Sequence, residues 1–125
     1  MLPRHGGQQT ELESGCLVCG LRQREESVYL GVFMSHCQES DFLNAYGASS
    51  GLCFPHFHAA LDRADGARDL SPLIATHASI VDGLLAELDE FQRKTDYRFA
   101  SEAPGSETDA WQRAIELATG KQGAR

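Results

Sequence analysis

The chain lacks any long apolar run. None of its 125 residues fall in a stretch approaching the roughly 18–20 apolar residues that cross a bilayer, so no membrane span is expected. The opening Met-Leu-Pro-Arg-His-Gly-Gly-Gln-Gln-Thr holds no apolar stretch of signal-peptide type, and the expectation is a cytoplasmic protein. Positive charge is also scarce. Eleven Lys and Arg face 18 Asp and Glu, for a formal net charge of −7, which argues against nucleic acid as a partner because phosphate binding needs a basic face. Strand signals are poor, since no stretch alternates apolar and polar residues with β-branched enrichment. Several catalytic signatures are missing as well: a Gly-rich phosphate loop, a Ser/His/Asp order and an H-E-x-x-H helix. The length excludes large α/β enzymes and leaves room for one domain.

What remains is a helical chain of ordinary globular composition, 42% hydrophobic and 23% charged. Residues 1–12 read as a flexible lead-in, 13–120 as a single helical metal-binding domain and 121–125 as a tail. A first periodic segment runs from about Leu17 to Tyr46. In it Leu21, Val28, Val32 and Phe33 fit one helical face only roughly. Gly31 and the polar patch Ser35–Asp41 predict a break, with Asp41 capping a short helix that carries Phe42, Leu43 and Tyr46. A turn follows at 47–51, and Pro55 opens a third helix. Ser71-Pro72 caps a long fourth helix whose face is Ile74, Ala78, Val81, Leu84, Leu85, Leu88 and Phe91. After a connector at 100–106, a last helix from about Glu107 to Ala118 places Trp111, Ala114, Ile115 and Ala118 on one face. Gly120 is its stop and Trp111 its core anchor.

Two short motifs carry chemistry. Cys16-Leu17-Val18-Cys19 is a C-x-x-C, and Cys53-Phe54-Pro55-His56 is a C-x-x-H, with 33 residues between the two motifs. Three thiols and one imidazole suit tetrahedral zinc, which matches thiolate and imidazole and imposes no other geometry. Two-residue spacing lets both side chains of a pair bend toward one ion. Each pair also sits where a helix should begin, and free amides there stabilise thiolate. The predicted site is therefore Cys16, Cys19, Cys53 and His56 around Zn2+, with an iron–sulfur cluster as the alternative cofactor. A dithiol of exchange type is a further alternative, although the βαβ context that usually accompanies it is missing.

Four other features stand outside these two motifs. Cys37 reads as a partly buried helix cysteine, with a spare ligand or a reactive thiol beside His36 as the alternative. His58 is a substitute for His56, and His77 a core-edge histidine with a hydrogen-bond partner. The segment from Phe91 to Phe99 reads first as a helix end and docking loop, with Asp96 paired to an arginine. Its second reading is an anion or ligand site built from Arg93, Lys94 and Arg98.

These blocks together carry a resemblance. C-L-V-C, Y-L at 29–30, S-S-G-L-C-F-P-H at 49–56, R-K-T-D-Y-R-F at 93–99 and W-Q-R-A-I-E at 111–116 resemble a family of small bacterial and archaeal proteins with no assigned function. The likeness covers about residues 14–120. Asn44-Ala45-Tyr46 and Thr95 depart from the pattern and touch none of the predicted ligands. The resemblance implies a helical fold that holds the two cysteine motifs together, and it implies no activity. The expectation is a mainly α, small irregular helical bundle stapled by a Cys/His metal site. It would act by binding an unknown protein or small-molecule partner, with a homodimer as one form. The rival is a thiol-based redox or metal-dependent enzyme using the same cluster.

Overall fold

The computed structural model describes residues 15–121, apart from Asp65 and Ala67. The predicted lead-in at 1–12 and most of the predicted tail lie outside the described residues. Five α-helices and two short 3-10 turns make up the described chain, with no strand among these residues. They are α1 (Leu17–His36), α2 (Ser40–Gly47), α3 (Phe54–Asp62), α4 (Ser71–Lys94) and α5 (Ala110–Thr119). The 3-10 turns are Tyr97–Phe99 and Ser106–Asp109. The mainly α expectation holds, and no helix is long and apolar enough to cross a membrane among the described residues.

The helix boundaries follow local chemistry. Gly31 does not break α1. A Cβ there would meet nothing within 4 Å, so the glycine sits at an open surface where helix geometry is unopposed. The break comes later, at Cys37–Glu39, and α2 starts at Ser40 with no side-chain cap from Asp41. Prolines stand in the first turns of α3 and α4, where a missing N–H costs nothing. At the start of α4 the Ser71 amide donates to Asp69 Oδ1 at 3.0 Å. Gly120 ends α5 in the left-handed region, φ 70°, as its type predicts.

The core sits where α1, α2, α3 and α4 meet. Leu30, Met34, Cys37, Tyr46, Ala60 and Leu73 are buried there, with Phe33, Phe42 and Phe57 packed against them. Phe33 meets Phe42 and Tyr46 edge-on at 5.1 and 5.2 Å between ring centres. α5 packs on α4 and α3.

Three predicted faces are corrected. On α1 the buried residues are Leu30 and Met34, while Leu17, Val18, Leu21, Val28, Tyr29 and Val32 are exposed. At 100° per residue those six fall within one 120° sector opposite Leu30, so the helix is apolar on two sides. That explains the rough periodicity. On α4 the buried positions are Leu73 and His77, with Ile80 half-buried, whereas Ile74 and Leu85 are exposed. The buried stripe contains a polar residue, His77, which apolar periodicity does not count. Trp111 is 41% exposed and does not anchor the core; fully buried Ala110 holds that position in α5.

Candidate metal and thiol centre

Both cysteine motifs begin helices. Cys16 is the residue that caps α1 and Cys53 the residue that caps α3, each with extended backbone. Their surroundings differ. Cys16 and Cys19 are exposed, Cys53 is half-buried, and Cys37 is 1% exposed within the core. The Cys19 amide, then the Val18 amide and the Cys19 thiol, hold the Cys16 thiol below its ordinary range.

The C-x-x-H turn is pre-assembled. Cys53 Sγ lies 3.2 Å from His56 Nδ1. The other ring nitrogen, Nε2, lies 3.4 Å from Glu26 Oε2 on α1. Burial would raise the Glu26 carboxyl, but Arg22, bonded to it at 2.9 Å, and His56 outweigh that and hold it low. Glu26, His56 and Cys53 thus form one line of carboxylate, imidazole and thiol.

The backbone before Cys53 is tied down from behind. Tyr46 Oη accepts the Leu52 amide at 3.0 Å and meets His77 Nδ1 at 2.8 Å. Gly51 has φ 73°, and a Cβ there would stand 3.2 Å from Ile80 and 3.5 Å from His77 Nδ1, so only glycine fits that approach. Gly120 does the same from the far side, since a Cβ on it would lie 3.1 Å from Cys53 Sγ. Burial raises the Tyr46 hydroxyl pKa, with a smaller upward push from Cys53. Burial lowers that of His77.

Cys53 and His56 open onto a groove of about 1330 Å³ between the 47–53 loop, α4 and α5. Its lining mixes Ile80, Leu84 and Leu117 with Arg22, Glu87 and Arg113. Arg113 is already engaged by Glu87 and Asp109.

The four predicted ligands form two pairs. Cys53 joins His56, and Cys16 lies by Cys19. Among the described residues no group of three or more His, Cys, Asp or Glu side chains is arranged to hold a metal ion. Cys19 and Glu26 share one face of α1 but stand seven residues apart, about 10 Å along the helix. His58 is exposed, and His36 bonds Glu39 instead of Cys37. The three cations of the second segment have partners within the chain. Arg93 bonds Glu90 and Glu102, Lys94 bonds Glu107 at 2.8 Å, and Arg98 bonds Asp96 at 2.7 Å. An external anion would have to displace those carboxylates. Sequence reasoning missed Glu26, Tyr46 and the 47–53 loop as parts of the centre. No local spacing signals them, because Tyr46 and His77 are 31 residues apart.

Fold and centre together define a mainly helical protein with a thiol–imidazole pair at a helix start. The chain belongs to the family of unknown function DUF6062, whose profile matches residues 2–125. It is 26% identical over 124 residues to an uncharacterized 23.9 kDa protein in the xynA 3'region of Caldicellulosiruptor sp. (strain Rt8B.4). That match covers 98% of this chain and 60% of the relative, so the chain spans less than two thirds of the relative's length. No solved structure matches the chain.

Proposed function

We propose that this is a metal-binding helical protein in which Cys53 and His56 hold a zinc ion together with Cys16 and Cys19. The observation that carries the reading is the preset Cys53–His56 pair, 3.2 Å apart at the start of α3. Two tetrahedral zinc ligands with S and N bond lengths stand about 3.5 Å apart, so only a small adjustment is needed. Glu26 at His56 Nε2 supplies the carboxylate that commonly orients a ligand histidine. Cys16 and Cys19 would complete the set, in a first helical turn whose side chains are exposed and free of core packing. With four protein ligands the ion is structural, and it would tie the start of α1 to α3. The biochemical role then lies in binding a partner or ligand in the cytoplasm. Two surfaces suit that role: the groove beside Cys53 and the exposed apolar face of α1.

Elemental analysis and an absorption spectrum of untagged protein, purified without chelator, test this. About one zinc per chain without visible colour is expected. Iron with visible bands would replace zinc by an iron–sulfur cluster. A metal-free, fully reduced protein would overturn the reading.

One observation favours a second reading. The Glu26–His56–Cys53 line is also the arrangement that activates a thiolate nucleophile. Under that reading Cys53 reacts with electrophiles far faster than Cys16, and Glu26→Gln slows it without loss of any metal.

A further inference from the structure

We infer that Tyr46 and His77 are positioning residues for Cys53, an inference that rests on Cys53 and His56 being the ligand-binding pair. The Tyr46 hydroxyl has one proton. It accepts the Leu52 amide at 3.0 Å, and donating that proton to His77 Nδ1, 2.8 Å away, satisfies the hydroxyl, the amide and the ring nitrogen together. In that arrangement neutral His77 carries its single ring N–H at Nε2, and that buried atom has no partner among the described residues. A buried donor left unpaired destabilises the fold. A core that needed only filling would hold Phe and Leu at these two positions at lower cost. What the polar pair supplies is capture of the Leu52 amide, one residue before Cys53.

The same imidazole also fixes the turn from its other side. Its ring stacks on Phe57, with centres 3.8 Å apart and planes 7° from parallel, and meets Phe54 edge-on. Phe54 and Phe57 flank His56 in the first turn of α3. His77 is thus joined to the C-x-x-H turn through Tyr46 and Leu52 before it, and through two phenyl rings within it. Gly51, with φ 73° and Ile80 3.2 Å from where a Cβ would stand, shapes the loop just before this turn. Cys53 and His56 face each other because a buried hydrogen-bond chain from α2 and α4 sets the backbone that carries them.

The test uses the full chain, reduced and metal-free, as wild type, Tyr46→Phe, His77→Leu and His77→Gln. Cobalt(II) is the probe, read by thiolate-to-cobalt absorption. Amide hydrogen exchange at Leu52 and the rate of Cys53 alkylation by iodoacetamide are read on the same proteins, with helix content as the check on folding. Tyr46→Phe is expected to keep its helix content, speed Leu52 exchange and weaken cobalt binding about tenfold, the usual effect of losing an outer-shell partner. His77→Leu should do the same. His77→Gln, whose side-chain oxygen can accept the tyrosine proton, should recover most of the loss. The inference is overturned if Tyr46→Phe matches wild type in Leu52 exchange and cobalt affinity, or if His77→Gln is no better than His77→Leu. If wild type takes up no cobalt, the metal reading fails by itself. The positioning role then stands only if Leu52 exchange and Cys53 alkylation both speed up in Tyr46→Phe.

Discussion

The two cysteine turns have the same design and opposite surroundings. Each places a cysteine at the residue that caps a helix, with a second donor three residues on. The Cys53 turn is held by Tyr46, His77, Glu26 and Gly120. Among the described residues no hydrogen bond or ion pair from outside α1 holds the Cys16 turn, and Leu17 and Val18 beside it are 65% and 71% exposed. A short motif therefore fixes which atoms face each other within a turn. Its rigidity comes from the rest of the fold.

The contrast can be broken from several sides. The largest effect is expected beneath the anchored turn. Leu73 is fully buried in α4, and Leu73→Ala should cost about 2–5 kcal/mol in urea denaturation. Val18→Ala on the free turn should stay within about 0.5 kcal/mol. Equal effects would mean that α1 is packed along its whole length.

Gly51→Ala comes next. It forces a side chain into φ 73° and against Ile80, and should cost more than about 1 kcal/mol. Gly31→Ala, in open helix surface, should be neutral or stabilising. The same denaturation series checks both.

A pH effect is expected at the far end of α4, where Lys94 and the Gly105 amide hold the Glu107 carboxyl at about 2. A depressed folded pKa gives stability that is complete above the ordinary value of 4.5 and is lost as pH falls from there toward 2. The stability gap between wild type and Glu107→Gln should therefore close across that window. A gap that persists unchanged at low pH would show that the carboxylate charge contributes nothing.

The smallest perturbation uses no substitution. In metal-free reduced protein a disulfide reagent should modify Cys16 and Cys19 first and Cys53 later, with Cys37 protected until unfolding. Cys53 reacting first would favour the thiolate reading over the metal one.

The sequence made some of this legible. Local chemistry marked the helix starts at Cys16 and Cys53, the first-turn prolines of α3 and α4, the stop at Gly120 and the pairing of Asp96 with an arginine. What it hid depends on how helices pack. Apolar periodicity chose Ile74 over His77 on α4, because a histidine is a core residue only once Tyr46 is placed against it. It grouped Leu21, Val28 and Val32 roughly on one face, and α1 turns that face outward. Spacing also showed which donors share a turn and could not show where one turn stands against the other. Glu26 reaches His56 across two helices, a contact no linear pattern records.

The central claim is that the anchored Cys53–His56 pair and the exposed Cys16–Cys19 pair hold one ion between them. Native mass spectrometry of the full chain, loaded with zinc and then desalted, tests it most directly. A single retained zinc is expected, lost in Cys53→Ser and in the double variant Cys16→Ser/Cys19→Ser. Zinc retained after both cysteines of the α1 turn are removed, or no zinc in the wild type, would contradict it.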